Sequence, residues 1–173
     1  PETLRRLTHR TIRAVSDDME RFLFNVAISK LQVLTNGMRS ALDAGDGARE
    51  AASALTQLLA PLAPVVGAAD LALCHLEVPL VADGQSVSGY PSFRAPRELA
   101  PALAATGYDG CSTASNHSLD GGMPGIGTTL DTFDATGLGH AGTARSAQEA
   151  ATPRIYDVEG ARIAHLSYAY GFN

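Results

Sequence analysis

The sequence has no tryptophan, only two cysteines and no apolar run near the roughly 20 residues that a membrane span needs. Two cysteines are too few for a disulfide framework, and Cys74 and Cys111 each lie in an apolar, strand-like segment. We therefore predict two buried thiols. Arginines interrupt every apolar stretch near the start, so we expect no signal peptide. These absences predict a cytoplasmic protein that does not contact a membrane.

The 173 residues are 45% hydrophobic and 18% charged, which is typical of a folded globular protein. Charge is unevenly spread. Residues 1–64 carry eight basic and seven acidic side chains, whereas residues 65–173 carry five basic and eleven acidic ones, which gives +1 and −6. This asymmetry predicts two domains, 1–64 and 65–173, and does not favour nucleic-acid binding by the second.

The first domain has the pattern of amphipathic helices. Apolar residues recur at steps of three and four through residues 4–22, 24–38 and about 48–59. A Gly-Asp-Gly turn at residues 45–47 precedes the third segment, and Pro61 and Pro64 end it. The sequence therefore predicts a helical hairpin or three-helix segment.

Four arginines of the first segment fall mostly on one side of the predicted helix: Arg5, Arg6, Arg10 and Arg13. One interpretation is a surface that contacts RNA phosphates. The other is a solvated helix face beside the apolar stripe. The residues alone leave both open, because several acids follow within two turns.

The second domain alternates between strand and helix patterns. Strands are predicted at 70–77, 108–114 and 138–141, helices at 95–106 and 123–136, and a hairpin at 154–158 and 162–170. Such alternation is typical of an α/β layered fold with parallel pairing in the middle and, here, an added antiparallel piece.

The segment most suited to chemistry is Ser112–Gly122, which follows a predicted strand and precedes a helix, where α/β proteins place ligand sites. Asn116 offers a neutral oxygen ligand, and His117 can bind a metal or transfer a proton. Asp120 is placed to orient His117 or to act as an acid or base. The alternative for this segment is polar capping of a loop.

Glu77 ends the preceding strand at the same sheet edge, and His75 lies on the same strand face. The residue types give His75, His140 and His165 a structural role as the simpler interpretation. The glycines at 121–127 are not followed by Lys-Ser/Thr, so a phosphate-binding loop of the P-loop type is excluded.

Two stretches of the first domain resemble the anticodon-binding helical domain of bacterial leucyl-tRNA synthetases: LRRLTHRTIRAVSDDMERFLFNVAISKLQVLTN (Leu4–Asn36) and ASALTQLLAPLAP (Ala52–Pro64). The resemblance covers about a third of the chain. It implies a surface for the tRNA backbone, but the nucleotide-binding catalytic domain of that family is missing, so leucine activation is not expected.

Residues 61–173 resemble the CapA family of capsule or poly-γ-glutamate synthesis proteins, which implies a calcineurin-type, metallophosphoesterase-like fold. The phrase N-L-E-x-P corresponds to His75–Pro79, with His for Asn, and N-N-H-x-x-D-x-G corresponds to Ser115–Gly122, with Ser for the first Asn. The resemblance implies a divalent metal, Mn²⁺ or Zn²⁺, at Glu77 and Asn116, with His75 beside them. It implies that His117 is the acid/base group or the donor on the phosphate side, and Asp120 is the second catalytic residue that we predict.

The family's first Gly-Asp strand and its later histidine segment have no counterpart here, so we expect weak metal binding at most. The hypothesis that follows is a chimera of the two families without complete catalytic activity. The alternatives are a metal-dependent phosphoesterase-like hydrolase and a tRNA-binding helical module. We also expect the exposed helical stripe and sheet edge to pair two copies of the chain.

Overall fold

The computed structural model describes residues 2–21 and 48–173. The chain divides into two compact units, Pro1–Pro61 and Leu62–Asn173. The boundary predicted from the sequence lies three residues later, after residue 64. The second predicted helix, 24–38, lies outside the described residues.

The first unit contains helix α1 (Glu2–Glu20) and helix α2 (Ala48–Leu59), which pack against each other. Leu4, Thr8 and Thr11 form the buried face of α1, with Ala54 and Leu55 buried on α2. The Thr8 hydroxyl donates a 2.9 Å hydrogen bond to the Leu4 carbonyl, which satisfies it inside the helix and allows it to be buried. A short 3₁₀ turn (Ala60–Leu62) follows α2.

The second unit begins with the one-turn helix α3 (Ala63–Val66) and is built on a three-stranded parallel sheet. Its strands are β1 (Leu73–His75), β2 (Gly110–Ser112) and β3 (Gly139–Ala141), in that spatial order. Helix α4 (Leu99–Thr106) connects β1 to β2, and helix α5 (Gly122–Thr136) connects β2 to β3. The predicted α/β class is thereby confirmed.

Packing of α5 and α4 beside the sheet forms the core of this unit. Leu80, Ala100, Cys111, Leu130 and Phe133 are completely buried. Both helices end at a glycine in the left-handed conformation, Gly107 (φ 107°) and Gly137 (φ 77°), whose backbone N–H groups return to the last turn. The two glycines therefore fix where the chain turns into β2 and β3.

An antiparallel hairpin follows the sheet. Strand β4 (Arg154–Val158) pairs with β5 (Ala161–His165) across a two-residue turn with positive φ at Glu159 and Gly160. The predicted second strand ran to residue 170, five residues further than β5. Helix α6 (Ala147–Ala150), capped by the Ser146 side chain, was not predicted, because a single turn has no measurable periodicity.

The prediction of two separate thiols is wrong. Cys74 and Cys111 are register partners in β1 and β2, with Cα atoms 4.3 Å apart, and their sulfurs are joined as a disulfide. Their separation of 37 residues carried no sign of this, because the parallel register alone brings the two positions together. Within the described ranges, no helix is long and apolar enough to cross a membrane.

Candidate functional site

The centre of the site is a paired imidazole and carboxylate in the loop that follows β2. Nδ1 of His117 lies 2.8 Å from Oδ2 of Asp120, and their side chains are 14% and 8% exposed. A carboxylate only accepts hydrogen bonds, so this contact assigns the ring proton to Nδ1 and leaves the lone pair on Nε2. The prediction that Asp120 orients His117 agrees with this geometry.

Asp120 is itself held in place by a loop from a distant part of the chain. Its Oδ2 accepts the Phe93 backbone N–H at 2.6 Å, and its carbonyl accepts the Ser92 hydroxyl at 3.1 Å. The Phe93 ring meets the His117 ring edge to face, with centroids 4.7 Å apart. Sequence reasoning missed Phe93, because nothing in the local pattern shows that a loop 24 residues upstream returns to His117.

The loop's own backbone is fixed by serine side chains. Ser118 Oγ accepts the Ser115 N–H and donates toward the Thr113 and Ser115 carbonyls, all at 2.8 Å, and both serines are buried. The Ser115 hydroxyl in turn accepts the His117 N–H at 3.1 Å. These bonds satisfy buried polar groups and hold His117 at the end of β2.

Asn116 and Asn173 are paired at the exposed side of this loop. The Asn116 side-chain amide donates to Oδ1 of Asn173 at 3.1 Å, and the Asn173 backbone N–H donates to the Asn116 carbonyl at 3.0 Å. The Asn173 amide nitrogen also lies 3.1 Å and 3.4 Å from the two ring nitrogens of His117. The Asn173 amide therefore lies against the imidazole, closer to Nδ1 than to Nε2.

The other predicted metal ligands lie at the end of β1. His75 is the last residue of that strand and pairs in register with Ser112, Glu77 follows two residues later, and both side chains are exposed. Residues 2–21 and 48–173 contain no group of three or more His, Cys, Asp or Glu side chains placed to hold a metal ion. The described residues thus do not fit a two-metal centre. Weak binding of a single metal ion at Glu77, Asn116 and His75 stays a prediction.

The four arginines predicted to contact RNA lie on α1, and all four are exposed: Arg5, Arg6, Arg10 and Arg13. Leu4, Thr8 and Thr11 are buried on the side of the helix opposite Arg6, Arg10 and Arg13. Arg5 lies between the two sides. The structure places these side chains where solvent reaches them, and their role as an RNA surface stays a prediction.

A second polar cluster joins the hairpin to the sheet. His165 is 6% exposed, and its Nε2 lies 2.9 Å from the Ser112 hydroxyl, while Nδ1 is buried without a hydrogen-bond partner among the described residues. Burial lowers the pKa of His165, and the nearby His140 lowers it further. The sequence suggested a structural histidine at this position, and no local signal marked the unpaired nitrogen.

Arginine and acids form a network next to that cluster. Arg145 binds the carboxylates of Asp131 (2.6 Å), Asp134 (2.8 Å) and Glu149. Its guanidinium holds the pKa of the Glu149 carboxyl below the usual range, and the acids raise the pKa of Arg145 further. Glu149 is consequently ionised, and it shares the Arg145 guanidinium with Asp131 and Asp134.

Comparison with known proteins identifies two kinds of relative. The model of the family "Bacterial capsule synthesis protein PGA_cap" matches residues 11–173. This match begins inside α1, at residue 11, whereas the sequence resemblance began at residue 61. An uncharacterized protein of Sinorhizobium fredii, y4sH, is 33% identical over 112 residues, which are 61% of this chain and 24% of that protein.

The other relatives are leucine–tRNA ligases. The enzyme of Acidothermus cellulolyticus is 47% identical over 66 residues, and that of Synechococcus sp. (strain CC9311) is 52% identical over 64 residues. Each alignment covers 35% of this chain but only 8% and 7% of the ligases. The chain thus spans less than a tenth of these enzymes and about a quarter of y4sH. Both predicted resemblances are confirmed.

Proposed function

Because the chain belongs to the bacterial capsule synthesis protein PGA_cap family, we propose that it is a recombined member without complete catalytic activity. In this proposal, a leucyl-tRNA ligase-like helical segment is joined to part of a PGA_cap α/β unit. The His117–Asp120 pair is kept in order, while the ligands needed to hold two metal ions are not gathered among the described residues.

One observation supports the proposed recombination. The chain separates into units that meet at Pro61 and Leu62, and the two kinds of relative cover shares of similar size to those units. The ligases match 35% of the chain, and y4sH matches 61%. A join near the APLAP segment (Ala60–Pro64) would account for both shares. The family model's start at residue 11 weighs against a family boundary at residue 61.

The test is a calorimetric titration of the intact chain with Mn²⁺ and with Zn²⁺, repeated on His117→Ala and Glu77→Ala. Asp157→Ala, an exposed acid on β4, is the matched control. If the intact chain gives the same binding heats as the two variants, the result supports the proposal. Stoichiometric, micromolar binding that both variants lose, and that the control keeps, contradicts it and indicates an assembled metal centre.

A phosphoesterase-like hydrolase is the second candidate, and the geometry around His117 favours it. Asp120 orients the imidazole through the 2.8 Å contact with Nδ1, and Asp120 is fixed by the Phe93 N–H. Such a pair can donate a proton to a leaving-group oxygen. This step uses only the side chains that the structure brings together.

Hydrolysis of an aryl phosphodiester, measured with and without added Mn²⁺, tests the second candidate. We expect His117→Ala to abolish any turnover, while the exposed His9→Ala leaves it intact. Equal turnover by the wild type and His117→Ala contradicts the hydrolase proposal. No turnover by the wild type, His117→Ala or His9→Ala supports the recombined, inactive protein.

We also propose two partners for the chain: a second copy of itself, and tRNA bound weakly through the arginine side of α1. Exposed apolar side chains of the second unit and the open edge of β1 support the first partner. The exposure of Arg5, Arg10 and Arg13 supports the second.

A further inference from the structure

The two cysteines of the chain form a bridge between neighbouring strands of the parallel sheet. Cys74 on β1 and Cys111 on β2 are register partners, their Cα atoms lie 4.3 Å apart, and their sulfurs are joined. Cysteines whose Cα atoms lie within about 7 Å of each other can be joined without moving the backbone. The pairing of the two strands therefore brings the two sulfurs together.

Hydrogen bonds on both sides of the bridge hold β1 against β2. Before the bridge, the Ala72 carbonyl accepts the Asp109 N–H at 2.9 Å, and the Ala72 N–H donates to Oδ2 of Asp109 at 2.7 Å. After the bridge, the Leu76 N–H donates to the Ser112 carbonyl at 2.8 Å. These bonds do not depend on the sulfurs, so they keep the two cysteines facing each other when the S–S bond is open. Closing the bond again is then an intramolecular step between aligned groups.

The two ends of the bridge differ in exposure. Cys111 is completely buried on β2, which lies between β1 and β3. Cys74 is partly exposed on β1, the edge strand of the described sheet, between the exposed Leu73 and His75. Exchange of a disulfide with a thiol begins with the attack of a thiolate on an accessible sulfur. Cys74 is therefore the end of the bridge at which a reductant attacks, and Cys111 is the thiol that leaves.

We propose that Cys74 and Cys111 are a reversible redox pair of the folded protein, opened by a dithiol reductant and closed by a disulfide oxidant. A thiolate of the reductant attacks Sγ of Cys74, and the S–S bond breaks with its electron pair on Cys111, which takes up a proton. The second thiolate of the reductant then displaces Cys74, which is protonated in turn, and the reductant leaves as a cyclic disulfide. Closure passes two electrons from the protein thiols to the oxidant, which becomes two thiols. The pair does not depend on the chemistry proposed for the His117 loop.

Opening the bridge removes a covalent tie between two strands that lead to the candidate site. β1 continues to Glu77, and β2 continues into the loop that carries His117. The bridge joins positions 37 residues apart, so its loss enlarges the set of conformations that the unfolded chain can adopt. The reduced second unit should therefore unfold at a lower urea concentration than the oxidised one.

Counting of thiols in the full chain tests the proposal. The folded protein is treated with oxidised glutathione, then with dithiothreitol, then with oxidised glutathione again, and circular dichroism follows the fold at each step. A sample of each state, freed of reagent, is unfolded in urea with N-ethylmaleimide, and mass spectrometry counts the labelled cysteines. We expect none, two and none, with an unchanged circular dichroism spectrum.

Four results of this count would overturn the redox pair. They are free thiols after the first oxidation, a bridge that resists dithiothreitol until the protein is unfolded, a reduced form that does not close again, and a glutathione adduct in place of the bridge. The count uses the wild type alone, so it does not depend on the folding of any variant.

Single-cysteine variants test the direction of attack and the tie between the strands. In the folded proteins, Cys74 of Cys111→Ala should react with N-ethylmaleimide about tenfold faster than Cys111 of Cys74→Ala, because only Cys74 is partly exposed. Equal rates would contradict attack at Cys74. Dithiothreitol should lower the urea midpoint of the wild type and leave that of Cys111→Ala unchanged, whereas an unchanged wild-type midpoint would contradict a stabilising tie.

Discussion

The hydroxyl of Ser112 lies 2.9 Å from Nε2 of His165, although 53 residues separate them in sequence. Ser112 is the last residue of β2, and His165 is the last residue of β5. This bond joins the hairpin to the parallel sheet at its carboxyl edge. Because His165 is buried there, its ionisation is coupled to the stability of the second unit.

Acid should destabilise the second unit through His165. Burial lowers the pKa of His165 in the folded protein below the unfolded value of about 6.5. The unfolded state then binds more protons, so the free energy of unfolding is highest above pH 6.5 and falls as the pH drops from there toward the folded pKa. Urea denaturation between pH 7.5 and 5 measures this fall.

His165→Asn, which cannot ionise, should have a shallower dependence on pH over the same range. His9→Asn is the control, since His9 is exposed on α1 and should leave the slope as in the wild type. Equal slopes for the wild type and His165→Asn would contradict the prediction.

Adding a methyl group to β2 should loosen the hairpin. A Cβ at Gly110 would overlap the Tyr156 hydroxyl and come 2.5 Å from the Gly139 carbonyl oxygen, which belongs to the neighbouring strand and cannot move freely. We expect Gly110→Ala to lower the free energy of unfolding by about 1–3 kcal/mol. Thermal and urea denaturation followed by circular dichroism measure it.

Gly127→Ala is the matched control. Gly127 lies within α5, and the methyl group of an alanine there would meet no atom within 4 Å, so this substitution should stabilise the helix by about 0.5–1 kcal/mol. A Gly110→Ala protein as stable as Gly127→Ala would show that the hairpin does not pack on β2 as described.

The sequence predicted the two longer helices of the second unit and the order of its strands, because these helices carry their own periodicity and glycine stop signals. Helix 123–136 and α5, which spans Gly122–Thr136, differ by one residue. It placed His117 beside Asp120 because both lie in one loop, and the structure brings them into contact. Their catalytic role stays a prediction. The sequence did not predict the Phe93 contact, the Cys74–Cys111 pair or the pairing of Arg154 with His165 in the hairpin. Each depends on the register or return path of distant segments, which single-sequence patterns do not specify.

Removing the Asp120 carboxylate should change the protonation pattern of His117. In the wild type, Oδ2 of Asp120 accepts from Nδ1 of His117, so the Nδ1–H tautomer should dominate at pH 8. In Asp120→Ala, that partner and the acceptor for the Phe93 N–H are both lost. We expect a shift toward the Nε2–H tautomer and a loss of about 1–3 kcal/mol in stability.

Nitrogen-15 shifts of the His117 ring distinguish the two tautomers directly. Asp131→Ala is the control, because that acid contacts Arg145 and not His117. An unchanged His117 tautomer in Asp120→Ala would mean that the 2.8 Å contact does not orient the ring.

Two copies of the chain should associate through the end of the second unit. Its last residues expose large apolar side chains, with Leu166 at 61%, Tyr168 at 85% and Phe172 at 61%. Large apolar side chains exposed in this way favour self-association. Sedimentation equilibrium should give a dimer that Leu166→Asp and Phe172→Asp weaken, whereas Tyr90→Asp, an exposed aromatic in another loop, leaves it intact. A monomer at all concentrations refutes this prediction.

Binding of tRNA should depend on salt in proportion to the arginines that α1 presents. Arg10 and Arg13 are exposed on the side of α1 opposite the buried Leu4 and Thr8, so a phosphate backbone can approach them together. Each phosphate contact adds about 0.7–0.9 to the slope of log affinity against log salt concentration. Fluorescence anisotropy with a leucine tRNA should therefore give a slope that falls by about 1 in Arg10→Gln.

Arg162→Gln is the charge-matched control, because it removes one exposed arginine from the acidic second unit. Its slope should equal that of the wild type. If Arg10→Gln and Arg162→Gln change the slope equally, binding reflects net charge and not the α1 surface. An affinity that does not vary with salt would rule out phosphate contacts altogether. The comparison also bears on the recombination, since a ligase-derived helix that retains its nucleic-acid surface should carry the whole of the salt dependence.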